Sequence, residues 1–94
     1  MENRIEVGQH HRLLLLDREV MELEGVRRVE SFNENQIVLE TNKGYLKILG
    51  EDMHIQNLDL DTEKLHLVGL ITAVEYIENK QGLKGKKILN RLFR

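Results

Sequence analysis

From Val26 to Glu78 the chain is a succession of short aliphatic runs, each ended after six to eight residues by turn-forming residues. The runs are VRRVESF (26–32), QIVLET (36–41), YLKILG (45–50), MHIQNL (53–58), KLHLVG (64–69) and ITAVEYIE (71–78). Within them apolar and polar residues alternate. Ile37 and Leu39 oppose Val38 and Glu40, Met53 and Ile55 oppose His54 and Gln56, and Leu65 and Leu67 oppose Lys64 and His66. A period of two sends one set of side chains to a core and the other to water, so the runs are predicted strands. RLLLL (12–16) and EVMELEG (19–25) add two more around Asp17-Arg18. The connections NEN (33–35), NKG (42–44), GED (50–52) and DLDTE (59–63) are rich in residues that tolerate tight reversals. No stretch of residues 1–79 sustains a helical period. The expected fold is all-β, a small antiparallel sandwich or roll of about 7–8 short strands. A short β-solenoid is the second arrangement that glycine-punctuated strands allow.

One segment breaks the pattern. Residues 1–79 hold all 16 acidic residues and eight basic ones, a balance of −8, whereas residues 80–94 hold six basic residues and no acid. The chain thus divides into a β-domain over 1–79 and a basic tail over 80–94. Placed on a helix, Ile88, Leu89, Leu92 and Phe93 fall on one face, and Lys84, Lys86, Lys87, Arg91 and Arg94 occupy the other. Gly82 and Gly85 precede it as a swivel. Such a short amphipathic helix is marginal in water by itself and needs an apolar surface to fold on. An anionic membrane surface, a partner's groove and the domain's own sheet all qualify. These nine residues are the candidate membrane- or partner-binding site.

The rest of the chain offers little chemistry. There is no cysteine, which removes disulfides and thiolate metal sites. No apolar segment approaches the length of a membrane span, and MENRIEVGQHH has no apolar signal core. His10 and His11 are neighbours and would face opposite sides of a strand, while His54 and His66 lie on adjacent predicted strands. Asp59, Asp61 and Glu63 alternate like part of a calcium loop, but the sixth position from Asp59 is Lys64 and the twelfth is Leu70, where glycine and glutamate are needed. Ser31 has no nucleophile motif around it, and GLKGKK (82–87) lacks phosphate-loop spacing. Four aromatic residues (Phe32, Tyr45, Tyr76 and Phe93) make no stacking platform for nucleic acid. The expectation is a non-enzyme with no cofactor, no metal, no small-molecule substrate and no nucleic-acid partner, making contacts with proteins or with itself through the β-domain.

Particular motifs then carry a resemblance. His10-His11, MELEGV (21–26), VESF (29–32), LET (39–41), GYLKILG (44–50), NLDL (57–60), VEYIE (74–78) and the ending KKILNRLFR make the chain similar, over nearly its whole length, to the YabP/YqfC family of sporulation proteins, and to its YabP branch. The turn DTEKL (61–65) departs from that pattern, which leads one to expect a glycine there. The resemblance implies a cytoplasmic protein of the mother cell in an endospore former, concerned with building the spore envelope, cortex and coat. It implies no catalytic residues. With the tail it suggests peripheral docking at the outer forespore membrane. The rival is a soluble interaction module whose tail folds on its own sheet or on a partner.

Overall fold

A computed structural model describes residues 10–78. They form six strands: β1 (Arg12–Leu16), β2 (Val20–Glu24), β3 (Val26–Phe32), β4 (Gln36–Thr41), β5 (Gly44–Asp59) and β6 (Lys64–Ile77). All pairings are antiparallel in one sheet of order β1-β2-β6-β5-β4-β3. Antiparallel ladders throughout exclude the solenoid, whose rungs stack in parallel. The all-β expectation holds, but the strand count falls from seven or eight to six. GED at 50–52 is not a reversal. It lies inside the 16-residue β5, and KLHLVG and ITAVEYIE are likewise joined into the 14-residue β6. The helix expected over 84–94 lies outside the described residues.

The missing strand ends are β-bulges. β5 turns Leu46, Ile48 and Gly50 inward, then Met53 and Ile55, so its inward set changes from even to odd numbers. The register shows why: Glu51 opposes Leu70 and His54 opposes Val68, so β5 takes three steps where β6 takes two. On β6 the inward set changes the other way, from Leu65, Leu67 and Ile71 to Val74, because Gly50 opposes Ile71 while Leu49 opposes Ala73. These extra residues, with a further one on β5 between Ile55 and Asn57, keep both halves facing one core and bend the ribbon. A break in alternation is the mark of a strand end in sequence, and here it marks a kink.

Among the described residues no helix covers the sheet, yet ten large side chains, from Met21 on β2 to Leu39 on β4, are less than 2% exposed. β2 and β3 stand apart in the sheet order yet are joined by Gly25 alone, whose N–H donates to the Glu63 carbonyl and whose carbonyl accepts from the Asn42 N–H, so the sheet folds back on itself. The half built from β1, β2 and the hairpin end of β5–β6 closes over the half built from β3, β4 and the other end, around a single cluster. At the bend the two long strands touch. A Cβ on Gly69 (φ +139°) would stand 2.6 Å from the Cα of Met53 and 2.8 Å from the Asp52 carbonyl oxygen, and one on Gly50 would collide with the Leu70 carbonyl oxygen.

Two turns use unusual residues. Asp17 and Arg18 both have positive φ (54° and 59°), with Glu19 N–H donating to the Leu16 carbonyl, as a tight hairpin requires. The β5–β6 hairpin has Asp59 Oδ1 accepting from the N–H groups of Asp61 and Thr62, so this carboxylate shapes the turn. Glu63 closes it at φ +62°, within the turn 61–65 in which the family pattern led one to expect a glycine. Its carbonyl accepts from both Gly25 and Val26, while its Oε1 is buried without a partner. Glu63→Gly keeps the carbonyl and removes both the left-handed penalty and the stranded oxygen. Against the greater freedom of glycine in the unfolded chain, a net gain of about 1 kcal/mol is expected, seen as a higher urea midpoint at unchanged slope.

Candidate functional site

Outward-facing side chains fall into rows set by the register. Across β1, β2, β6 and β5 one row reads Arg12, Glu24, Lys64, Asp59, alternating in charge; the next reads Leu14, Glu22, His66, Asn57; the third reads Leu16, Val20, Val68, His54. Opposite charges facing each other across strands favour the pairing. The first two rows border a cleft of about 200 Å³ lined by Glu22, Glu24, Asn57, Lys64 and His66. The Nε2 of His66 is buried there without a hydrogen-bond partner. His54 opposes Val68 rather than His66, and among the described residues no three His, Asp or Glu side chains converge as a metal site. Ser31, on β3, belongs to the opposite half of the sheet, so no serine accompanies the Glu22–His66 pair.

The adjacent histidines are both engaged at the start of β1. His10 Nε2 lies 3.4 Å from Glu24 Oε1, and Arg12 approaches the other carboxylate oxygen at 3.4 Å. His11 Nδ1 sits 2.9 Å from the Glu24 carbonyl and Nε2 sits 2.6 Å from the Tyr76 hydroxyl, with the two rings edge to face. A carbonyl only accepts, so Nδ1 carries a proton and donates to it, while Nε2 shares a hydrogen bond with the tyrosine hydroxyl, which can donate or accept. Glu24 and Tyr76 thus tie the N-terminal approach to β2 and to the end of β6.

The two sheet edges differ. β3 carries Arg27, Arg28 and Glu30, and its ladder with β4 slips twice. Arg28 holds Glu30 at 2.6 Å and Glu40 at 3.0 Å. The hydrogen bond and charge of Glu30, helped by Tyr45 and Glu40, push its already high pKa further up. Charge and irregularity are common defences of an open edge. β1 has neither. Its ladder with β2 runs without a shift, and four of its five residues are leucine. Leu13 and Leu15 pack on the core but remain half-buried, and Leu16 is 48% exposed. Phe32, Leu58, Leu60, Leu70 and Tyr76 are the other exposed large apolar side chains among the described residues.

All nine candidate residues named from sequence, Lys84, Lys86, Lys87, Ile88, Leu89, Arg91, Leu92, Phe93 and Arg94, lie outside the described residues. What the sequence reading missed is the β1 edge. RLLLL reads as a strand, and LLLL as too short to span a membrane, but neither reads as the edge of the sheet. The signal was available in the absence of charge from residues 13–16, but an edge cannot be distinguished from a central strand until the pairing order is known.

The family model described as the YabP family matches residues 7–83. Spore protein YabP of Bacillus subtilis (strain 168) is similar to the chain, 30% identical over 88 residues that make up 94% of this chain and 88% of that protein. The matched stretch contains every described strand and stops one residue short of Lys84.

Proposed function

Because the chain belongs to the YabP family, we propose that it serves endospore formation as a non-enzymatic structural protein, assembling the spore envelope from the mother-cell side. The β-domain makes protein contacts, and residues 84–94 bring it to the anionic outer membrane of the forespore. The observation that carries this reading is charge segregation: a body at −8 joined to a tail at +6 that also carries Ile88, Leu89, Leu92 and Phe93. An acidic body is repelled by an anionic bilayer, so a cationic, apolar tail is the element suited to meet it. No helix among the described residues is long and apolar enough to cross a membrane, and peripheral attachment needs none.

Sedimentation of the full chain with vesicles containing anionic lipid tests this. Binding is expected at low salt. Leu92→Asp with Phe93→Asp should lower the partition coefficient by more than tenfold, since both anchors are lost and two like charges face the lipid. Lys87→Gln should cost about fivefold, the worth of one charge near an anionic leaflet. A wild-type chain that stays in the supernatant overturns the membrane reading.

A second reading has an observation of its own. The turn at 17–19, the bends at 69–71 and 50–53 and the turn at 33–35 are joined side by side by backbone hydrogen bonds. That end of the domain carries Asp17, Glu19, Glu34, Glu51 and Asp52, all exposed and without an ion pair among the described residues. The tail could serve such a surface on this domain or on another protein. Slow amide exchange in residues 84–94 without lipid would favour this reading over membrane docking.

A further inference from the structure

We propose that β1 is the seam of a two-fold dimer, in which β1 of one copy pairs antiparallel with β1 of a second copy about Leu14. The proposal rests on the reading of the β-domain as a contact-making unit and is independent of the tail.

The first ground is the contrast between the edges. An unpaired strand offers a row of backbone donors and acceptors to any strand of matching pattern. β3 is defended by charge and two slips in its ladder, while β1 is regular and consists of Arg12 followed by four leucines.

The second ground is register. Leu13 and Leu15 face the core opposite Leu23 and Met21, and both remain half-buried, with no strand beyond them among the described residues. Inward side chains must meet inward side chains, so a pairing shifted by one residue is ruled out. Centred on Leu14, the antiparallel pairing sets Leu13 against the second copy's Leu15, and Leu15 against its Leu13. Each core then extends across the seam. On the outer face Leu14 meets its own counterpart, and Leu16, 48% exposed in the single copy, lies against the stem of the second copy's Arg12. The sequence of β1 is complementary to itself in this register.

The third ground is polarity. The chain enters β1 through His10 and His11, β1 starts at Arg12, and it runs into Asp17, Arg18 and Glu19, a turn with one net negative charge whose Arg18 Nε donates to the Ile71 carbonyl. Antiparallel apposition brings the basic start of each strand to the acidic end of the other, twice. Parallel apposition would bring like charges together. A two-fold axis produces the favourable arrangement automatically, since an isologous contact is made by one patch with itself. The result is a sheet continuous through both copies.

The test uses the full chain and sedimentation equilibrium over a range of concentrations, with Leu14→Lys and Leu14→Glu. Leu14 is on the outer face opposite Glu22, and its side chain is already partly open to water, so either variant should leave the fold intact. Unfolding midpoints measured at concentrations where wild type is monomeric check this directly. Wild type is expected to dimerise. Each variant alone sets two like charges on the axis and should raise the dissociation constant by at least 30-fold, on the order of the several kcal/mol that juxtaposed like charges cost at an interface. An equimolar mixture of the two should restore a dimer containing one copy of each. Three results would overturn the proposal: wild type monomeric at high concentration, as when residues 1–9 or a different protein cover β1; a dimer indifferent to both variants; or a mixture no tighter than its components. Vesicle binding by the Leu14→Lys monomer shows whether the tail acts independently, so failure of one reading is not mistaken for failure of the other.

Discussion

Gly69→Ala should destabilise the protein by about 3 kcal/mol or more, a large share of the roughly 5–14 kcal/mol that holds a domain of this size together. Two causes add. The φ of +139° at Gly69 is a conformation that side-chain-bearing residues rarely adopt, and the new Cβ would lie 2.6 Å and 2.8 Å from backbone atoms of Met53 and Asp52. Those neighbours are main chain at the bend, so no rotamer change relieves the contact. Gly44→Ala separates the causes, because Gly44 also has positive φ (122°) but a Cβ there meets only the Ile77 carbonyl at 4.0 Å. Strain alone at Gly44 should cost about 1–3 kcal/mol. Urea unfolding of both variants measures the difference. Equal losses would mean that close approach at the bend contributes nothing.

Deletion of Asp52 should have the larger consequence and prevent folding. Asp52 lies within the step where β5 advances three residues against two on β6. Without that extra residue the hairpin half of β5 changes face. Met53, now wholly buried, would turn to water with Ile55, and the exposed His54 and Gln56 would turn inward. Exposing the methionine forfeits about 1.5–3 kcal/mol, and each polar group buried without a partner costs about 1–3 kcal/mol. Together these approach or exceed the stability of the domain. Asp52→Gly is the control. It keeps the residue count and suits the positive φ of 52° found there, so its unfolding midpoint should equal or exceed that of wild type. Soluble yield and far-UV circular dichroism distinguish the two. A deletion variant with native stability would show that the strand slides to repair its register.

Much of this fold was legible along the chain. The inward sets Ile37/Leu39, Met53/Ile55 and Leu65/Leu67 follow from alternation alone, and the turns at 33–35 and 42–44 follow from their asparagines and glycine. Alternation misled at Val38, which faces outward yet is only 5% exposed, because burial on the outer face depends on neighbouring strands. It also misled at 50–53 and 70–73, where a change of phase resembles a strand end. The site was legible only in its charge: segregation of the tail is a count of residues, whereas the open β1 edge, the Glu22–His66 cleft and the tie between His11 and Tyr76 all join residues far apart in sequence.

By itself the sequence determined the all-β class, the face on which each strand residue lies between bulges, the acidic body and basic end, and membership of the YabP family. These are properties of composition, of local period and of motif. Only the tertiary structure decided that two pairs of predicted strands are single bent strands, that the sheet serves as its own cover, and that RLLLL is an edge while its antiparallel neighbours are interior. The physical reason is that a hydrogen-bond ladder continues through a bulge that interrupts the side-chain period. Which strands lie side by side is settled by long-range burial of a shared core, and no local pattern records it.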